Sequence, residues 1–326
     1  MGKLGDTVAR KLWIDGLSEP QRNALWQRCS DSHSASVAHA STGDLPERVR
    51  DTIVTCMKDE LAAAFDQGLG EEPSFQMVGS VRRLLLRFAV TRKTEQYEDG
   101  SAILLSILLE AAHTDDDAAA AYLRLTELLQ AATGEGGEAL RQDIVVMASL
   151  LETHAPALCA HLNAAGVDLI DLHNIVSLWI ARCFAGFLAP AGVLRMVDLA
   201  LVDGVDALVG YALGALIVKA DYIMQQPLED AFKTVSSLPC SLSADDLHQS
   251  LDTAYRLWGS APAKASLSGM HLQVLACCKR AFPCGSLTLL IFRSYRCSQA
   301  AIMERGIRAS RCHWVRLPRF MSMRVD

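Results

Sequence analysis

An all-α fold is predicted by three features of the chain. Ala and Leu dominate over the β-branched and aromatic residues that suit a pleated sheet, aromatics making up 6% of residues against 51% apolar overall. Apolar residues recur at three- and four-residue spacing in one segment after another, without the period-two alternation of a half-buried strand. Pro190, Gly204 and Pro227 punctuate these segments and leave short connections, as compact helical folds require. At 326 residues the chain is long enough to bury a substantial core.

The elements follow in order. Val81, Leu84, Leu85 and Phe88 form an apolar stripe with Arg82, Arg83 and Arg87 between them, which is an amphipathic helix. Ala102 to Ala112 is apolar nearly all round, so it is expected to be buried on every side and to be the most buried helix. Asp115, Asp116 and Asp117 place carboxylates at the start of a helix over Ala118–Ala132, which the glycines 134, 136 and 137 end. A further helix runs to about Asn163, bent or broken near Pro156. Leu172–Leu188, a segment opening near Pro190, and Val205–Met224 are the next three. Ser243 with Asp246 reads as a capping box, and Leu247, Leu251, Ala254, Tyr255 and Trp258 make the stripe of a last helix. Beyond Ala261 the periodicity fades.

The formal charge of -6 averages two unlike parts. From Lys279 onward ten Arg and Lys stand against Glu304 and Asp326, whereas the rest is acidic and has no general attraction for nucleic acid. Such a basic tail suits a peripheral association with an acidic membrane surface. The longest apolar runs, Ala102–Leu109 and Ala207–Val218, fall short of the roughly 18 to 20 residues that span a bilayer, so no transmembrane helix is expected. Ten cysteines lack regular spacing and read as reduced thiols in the cytoplasm. Cys277, Cys278, Cys284, Cys297, Cys312 and His313 supply enough atoms for zinc, but no C-x-x-C pair occurs, and free thiols are the expectation. Acylation of the Cys277–Cys278 pair, which would hold the tail to a membrane, is the lesser alternative to free thiols. Without a P-loop, G-x-G-x-x-G or G-x-S-x-G, no nucleotide-using or acyl-transfer enzyme is indicated, and no cofactor is expected.

Three ordered segments carry a family resemblance. The first is Trp13, Gly16, Arg22 and Trp26, in which a Gly precedes an R-x-x-x-W helix. The second is the Val81 helix leading to Tyr97-Glu98-Asp99-Gly100 and an apolar helix. The third runs from Leu150 to Val218, with Trp179 and Phe184 five apart, Val193-Leu-Arg-Met-Val-Asp198 and Gly204. Together they resemble the TBC domains, helical modules that activate GTP hydrolysis by Rab GTPases. The likeness is greatest to the branch anchored in the endoplasmic reticulum, though the membrane anchor of that branch has no counterpart here. Trp13, Trp26, Trp179, Phe184 and Asp198 are then structural positions of the motif; packing aromatics of another helical protein are the plainer alternative.

The resemblance implies a chemistry. Such domains supply an arginine from I-x-x-D-x-x-R, which offsets charge on the transferred phosphoryl group, and a glutamine from Y-x-Q, which orients water. Here Asp99 stands at the glutamine position. A carboxylate is nearly isosteric with the amide but, when ionised, donates no hydrogen bond. The arginine motif aligns with Val54–Phe65, where one register puts Glu60 at the arginine position and another keeps Asp59 as the motif acid and puts Ala62 there. Neither is a guanidinium. Arg48, in Leu45-Pro-Glu-Arg48-Val-Arg50, is the candidate for a relocated finger. Asp59, Tyr97 and Gly100 are further groove candidates.

The expected organisation is an N-terminal tail over 1–8, a TBC-like domain over 9–226, a helical extension over 227–260 and a basic, irregular tail over 261–326. The expected function is binding of a GTP-bound Rab in vesicle traffic, in the cytoplasm or peripherally on endomembranes, with impaired GTPase activation. An active module using a relocated arginine, and a helical scaffold with no GTPase partner, are the alternatives.

Overall fold

The computed structural model describes residues 2–37, 45–66, 74–94, 96–133, 138–260, 263 and 267. Among them every regular element is a helix, as the composition and periodicity predict. The basic tail lies outside the described residues apart from Ala263 and Leu267, and with it Cys277, Cys278, Cys284, Cys297, Cys312 and His313.

The segment expected as an N-terminal tail is the first half of α1 (Gly2–Asp15). Gly16, at φ 75°, turns the chain into α2 (Glu19–Val37). A side chain there would also collide with Arg195, whose Cδ would lie 2.6 Å from a Cβ. Next come α3 (Glu47–Asp66) and α4 (Phe75–Arg92), the latter opened by the Ser74 hydroxyl accepting from the Met77 N–H at 3.1 Å. The apolar run predicted to be interior is α5 (Ser101–Ala111). It lies among α3, α4, α6 (Asp115–Thr133) and α10 (Pro190–Asp203). Thr114 caps α6, its hydroxyl accepting from the Asp117 N–H at 3.1 Å.

After α6 come α7 (Glu138–His154) and α8 (Pro156–Ala164), which meet at 112°, because Pro156 has no N–H to continue the helix through Ala155. The helix predicted over Leu172–Leu188 is α9 (Leu169–Ala181), which stops short. Cys183 and Phe184 take left-handed φ values of 46° and 60°, and the Phe184 N–H returns to the Trp179 carbonyl at 2.8 Å. Each such conformation costs a non-glycine residue about 1 kcal/mol or more. The return is the burial of both side chains, with the Phe184 ring edge-on to Tyr211 at 5.0 Å and 6.0 Å from Trp179.

The stretch expected as one helix over Val205–Met224 is two, α11 (Asp206–Val218) and α12 (Ala220–Met224), broken at Lys219. It is α11, and not α5, that is most completely interior, for every residue from Ala207 to Leu216 is buried. The short helix α13 (Ala231–Ser236) leads to α14 (Ala244–Ala254), whose capping box forms as expected between Ser243 and Asp246. The extension predicted over 227–260 is part of the same core, since α14 is pressed onto α11. A Cβ on Gly214 would lie 2.1 Å from the Ser250 carbonyl oxygen, and one on Gly210 would lie 2.7 Å from Trp258 Cγ. From the other end of the chain α1 closes over the same region. Trp13 would be 2.5 Å from a Cβ on Gly259, and Arg10 pairs with Asp252 at 2.9 Å. No single helix among the described residues is long and apolar enough to cross a membrane.

Candidate functional site

The residues singled out by the motif meet where α3 passes the start of α5. Lys93, left-handed at φ 52°, ends α4, and its N–H and that of Thr94 return to the Val90 and Ala89 carbonyls, both at 3.1 Å. The chain then crosses to α5, whose N-cap is Gly100 at φ 92° and offers no capping side chain. Glu60 supplies what the cap lacks. Its Oε2 accepts from the Gly100 N–H at 3.0 Å and from the Tyr97 hydroxyl at 2.6 Å, and its Oε1 accepts from the Ile103 N–H at 3.0 Å. The Tyr97 oxygen in turn accepts from the Ala102 N–H at 3.3 Å. Groups that a helix start would otherwise leave unsatisfied are thus paired, and a carboxylate stands at the positive end of the helix dipole.

The four loop residues are tied to Glu60, Arg92, Gln130 and Arg182. Tyr97 is held by Glu60. Glu98 accepts from Gln130 of α6 at 2.7 Å and pairs with Arg92 of α4 at 3.6 Å. Asp99 accepts from the Arg182 guanidinium at 3.2 Å. Gly100 lies over the stem of Arg182, and a Cβ there would be 2.8 Å from Arg182 Cγ, so close approach and a positive φ both require glycine.

The electrostatics follow from this crowding. Burial pushes the Glu60 carboxyl above the ordinary carboxylate range, against the hydrogen bonds from Tyr97, Ile103 and Gly100. Burial, with Glu60 beside it, likewise raises the Tyr97 hydroxyl. Half-buried Cys56, one turn before Glu60, is pushed up by burial and then by Asp99, Asp59 and Glu60, so its thiol is held protonated rather than activated.

The sequence reading therefore needs a correction at Glu60. One of the two registers put it at the arginine position, yet it is 3% exposed and faces α5. Asp59 and Ala62 are exposed on the same helix. Arg48 is exposed on the first turn of α3, about 18 Å along the axis from Glu60 at 1.5 Å per residue, and is not part of the cluster. Trp13 and Trp26 are buried core residues, and the Trp13 Nε1–H donates to Asp203 at 2.9 Å. Asp198, fully buried, is gripped by Arg22 through Nε at 3.0 Å and Nη2 at 2.6 Å. That pair joins the first motif to the third. The residue missed was Arg182. A lone arginine within Ile175–Ala185, otherwise apolar but for Ser177, was the signal, because a cation there needs an anion.

A model of the Rab-GTPase-TBC domain matches residues 19–224, well over half of the chain. The chain belongs to that family. As a TBC domain it is Rab-GAP-like, and a Rab GTPase is the kind of partner the family implies. The same fold is seen in a solved structure described as the crystal structure of the Chlamydomonas flagellar RabGAP TBC domain. The two are 19% identical, with a TM-score of 0.54 over 77% of this chain and 85% of the other. No curated protein matches the sequence.

Proposed function

We propose that this TBC domain binds a GTP-loaded Rab GTPase without the means to accelerate hydrolysis strongly, and so acts in vesicle traffic by occupancy rather than by turnover. The observation that carries this reading is the engagement of Glu60. A buried acid one turn after buried Met57 fits the I and D of I-x-x-D-x-x-R better than either register considered from sequence, and it puts Ala63 at the arginine position. In all three registers the residue there is Glu, Ala or Ala, and the glutamine position is Asp99. An arginine finger contributes roughly 10³ to 10⁵ in rate, so its loss removes most stimulation.

The groove itself supports binding. The loop from Tyr97 to Gly100 is braced at Tyr97 and Glu98 from α3, α4 and α6, so its backbone is held in one place. A relocated finger at Arg48 is disfavoured by its place at the far end of α3. We assign the protein to the cytoplasm, peripheral on endomembranes, and nearest the endoplasmic-reticulum-anchored branch, a likeness supported by α14. The test is a pull-down against a Rab panel loaded with GTP analogue or GDP, followed by single-turnover hydrolysis with any Rab retained. Binding that favours the GTP state with hydrolysis near the intrinsic rate is expected; no binding would leave a helical scaffold as the reading, and strong stimulation would restore an active GAP.

A further inference from the structure

Arg182 has no role in the family chemistry described above, yet it brings a guanidinium to the loop at the glutamine position. Its stem is fixed: Gly100 lies over it, and the guanidinium carbon is 5.9 Å from the centre of the Phe187 ring. Its side chain is 8% exposed, and its Nε finds no partner among the described residues. Its anion is held far less firmly. Asp99 is 48% exposed, and among the described residues one of its carboxylate oxygens makes one contact, at 3.2 Å. The backbone N–H groups at the start of α5 are already taken by Glu60 and Tyr97, so they do not compete for an anion.

We propose that Asp99 and Arg182 form a masked anion site: in the free protein Asp99 covers the guanidinium, and on docking a phosphate of the partner's nucleotide displaces it. The inference rests on the binding reading above. The asymmetry of the pair decides which member moves. An exposed carboxylate with a single contact is released at little cost, whereas the packed arginine stays. A phosphate brings more charge and more acceptor oxygens than a carboxylate, and the guanidinium fork takes two of them together. Such a site recognises the nucleotide state without orienting water. Binding then senses GTP, while the lack of an amide to orient water keeps hydrolysis far below that of a two-finger activator.

Four full-length proteins test this: wild type, Asp99→Asn, Arg182→Met and the double variant. Each is measured for binding of inorganic tripolyphosphate and for binding of Rabs loaded with GTP analogue or GDP. Asp99→Asn should bind tripolyphosphate roughly tenfold more tightly than wild type, the gain of one unmasked charge-assisted contact, and the double variant should lose that gain. Arg182→Met should lose the preference for the GTP state. If the double variant keeps the gain, or Asp99→Asn shows none, the masked site is refuted. If Arg182→Met binds a Rab with undiminished GTP preference, the assignment of the nucleotide phosphate as its occupant is refuted. Should no Rab bind any of the four, the binding reading fails instead, and the tripolyphosphate measurement still decides whether the site exists. If Arg182→Met does not fold, Arg182→Lys replaces it, keeping the charge but not the fork, and should weaken both forms of binding.

Discussion

Glu60 on α3 accepts the Gly100 backbone N–H at 3.0 Å, so an acid that one register of the motif put at the arginine position holds the start of a core helix. Removing it leaves the Gly100 and Ile103 N–H groups and the Tyr97 hydroxyl without their acceptor. Glu60→Ala should therefore destabilise the domain by about 3 kcal/mol. Glu60→Arg should not fold, since it brings a cation to the positive end of α5. Thermal unfolding of the three proteins checks this, and a Glu60→Arg variant melting like wild type would show that the side chain faces outward.

Repair of the fingers should accordingly depend on the register. Ala63→Arg with Asp99→Gln should recover part of the stimulation of a bound Rab, more than Ala62→Arg with Asp99→Gln. Both changes are needed in one protein because the two groups act on one transition state and do not add. Single-turnover GTP hydrolysis is the measurement. Equal failure of both pairs on a Rab that binds would mean that the groove has drifted beyond its finger positions.

The pH dependence of stability has a definite sign at Glu60. Its folded carboxyl lies above the ordinary range through burial, so the folded state holds the proton more tightly than the unfolded state. The contribution of Glu60 is then fully present below the ordinary carboxylate value and is lost as pH rises through the raised one. Denaturant unfolding of wild type and Glu60→Gln between about pH 4 and 7.5 should show the wild-type advantage shrinking with pH. An advantage that grows with pH would mean that the hydrogen bonds outweigh burial.

Arg22 and Asp198 make the other buried ionic contact, and here both partners matter. Asp198→Asn or Arg22→Met should each cost about 3 to 5 kcal/mol by stranding a charge in the interior. The combination Arg22→Met with Asp198→Asn should cost less than the two singles added together. Strict additivity in a double-mutant cycle would contradict direct coupling of the pair.

The all-helical class was legible because burial imposes a period on the sequence, and the stripes through Leu84 and Leu251 announce it directly. The capping box at Ser243 was legible for the same local reason. What could not be read locally was the partner of a side chain. Glu60 looked like any exposed helix acid because its donors lie about forty residues away in sequence, at Gly100 and Ile103. The end of α9 was missed because Cys183 and Phe184 are left-handed without glycine, a choice forced by packing around Tyr211 rather than by local preference. Arg182 was overlooked inside an apolar run, although its charge was a question that only a distant Asp99 could answer.

The seam between α11 and α14 carries a consequence for synthesis on the ribosome. Arg10 and Asp252 pair across 242 residues, and Trp13 packs on Gly259, so α1 waits for α14 and the turn after it. Until α14 has emerged, the face of α11 around Gly210 and Gly214 has nothing to cover it. A nascent chain must carry that open apolar surface from Val218 until α14 and Trp258 have followed, at several residues per second, with the chaperone demand this implies. Closure of the domain is therefore a late, long-range event, and a stop between Val218 and Trp258 releases a chain whose α11 was never sealed.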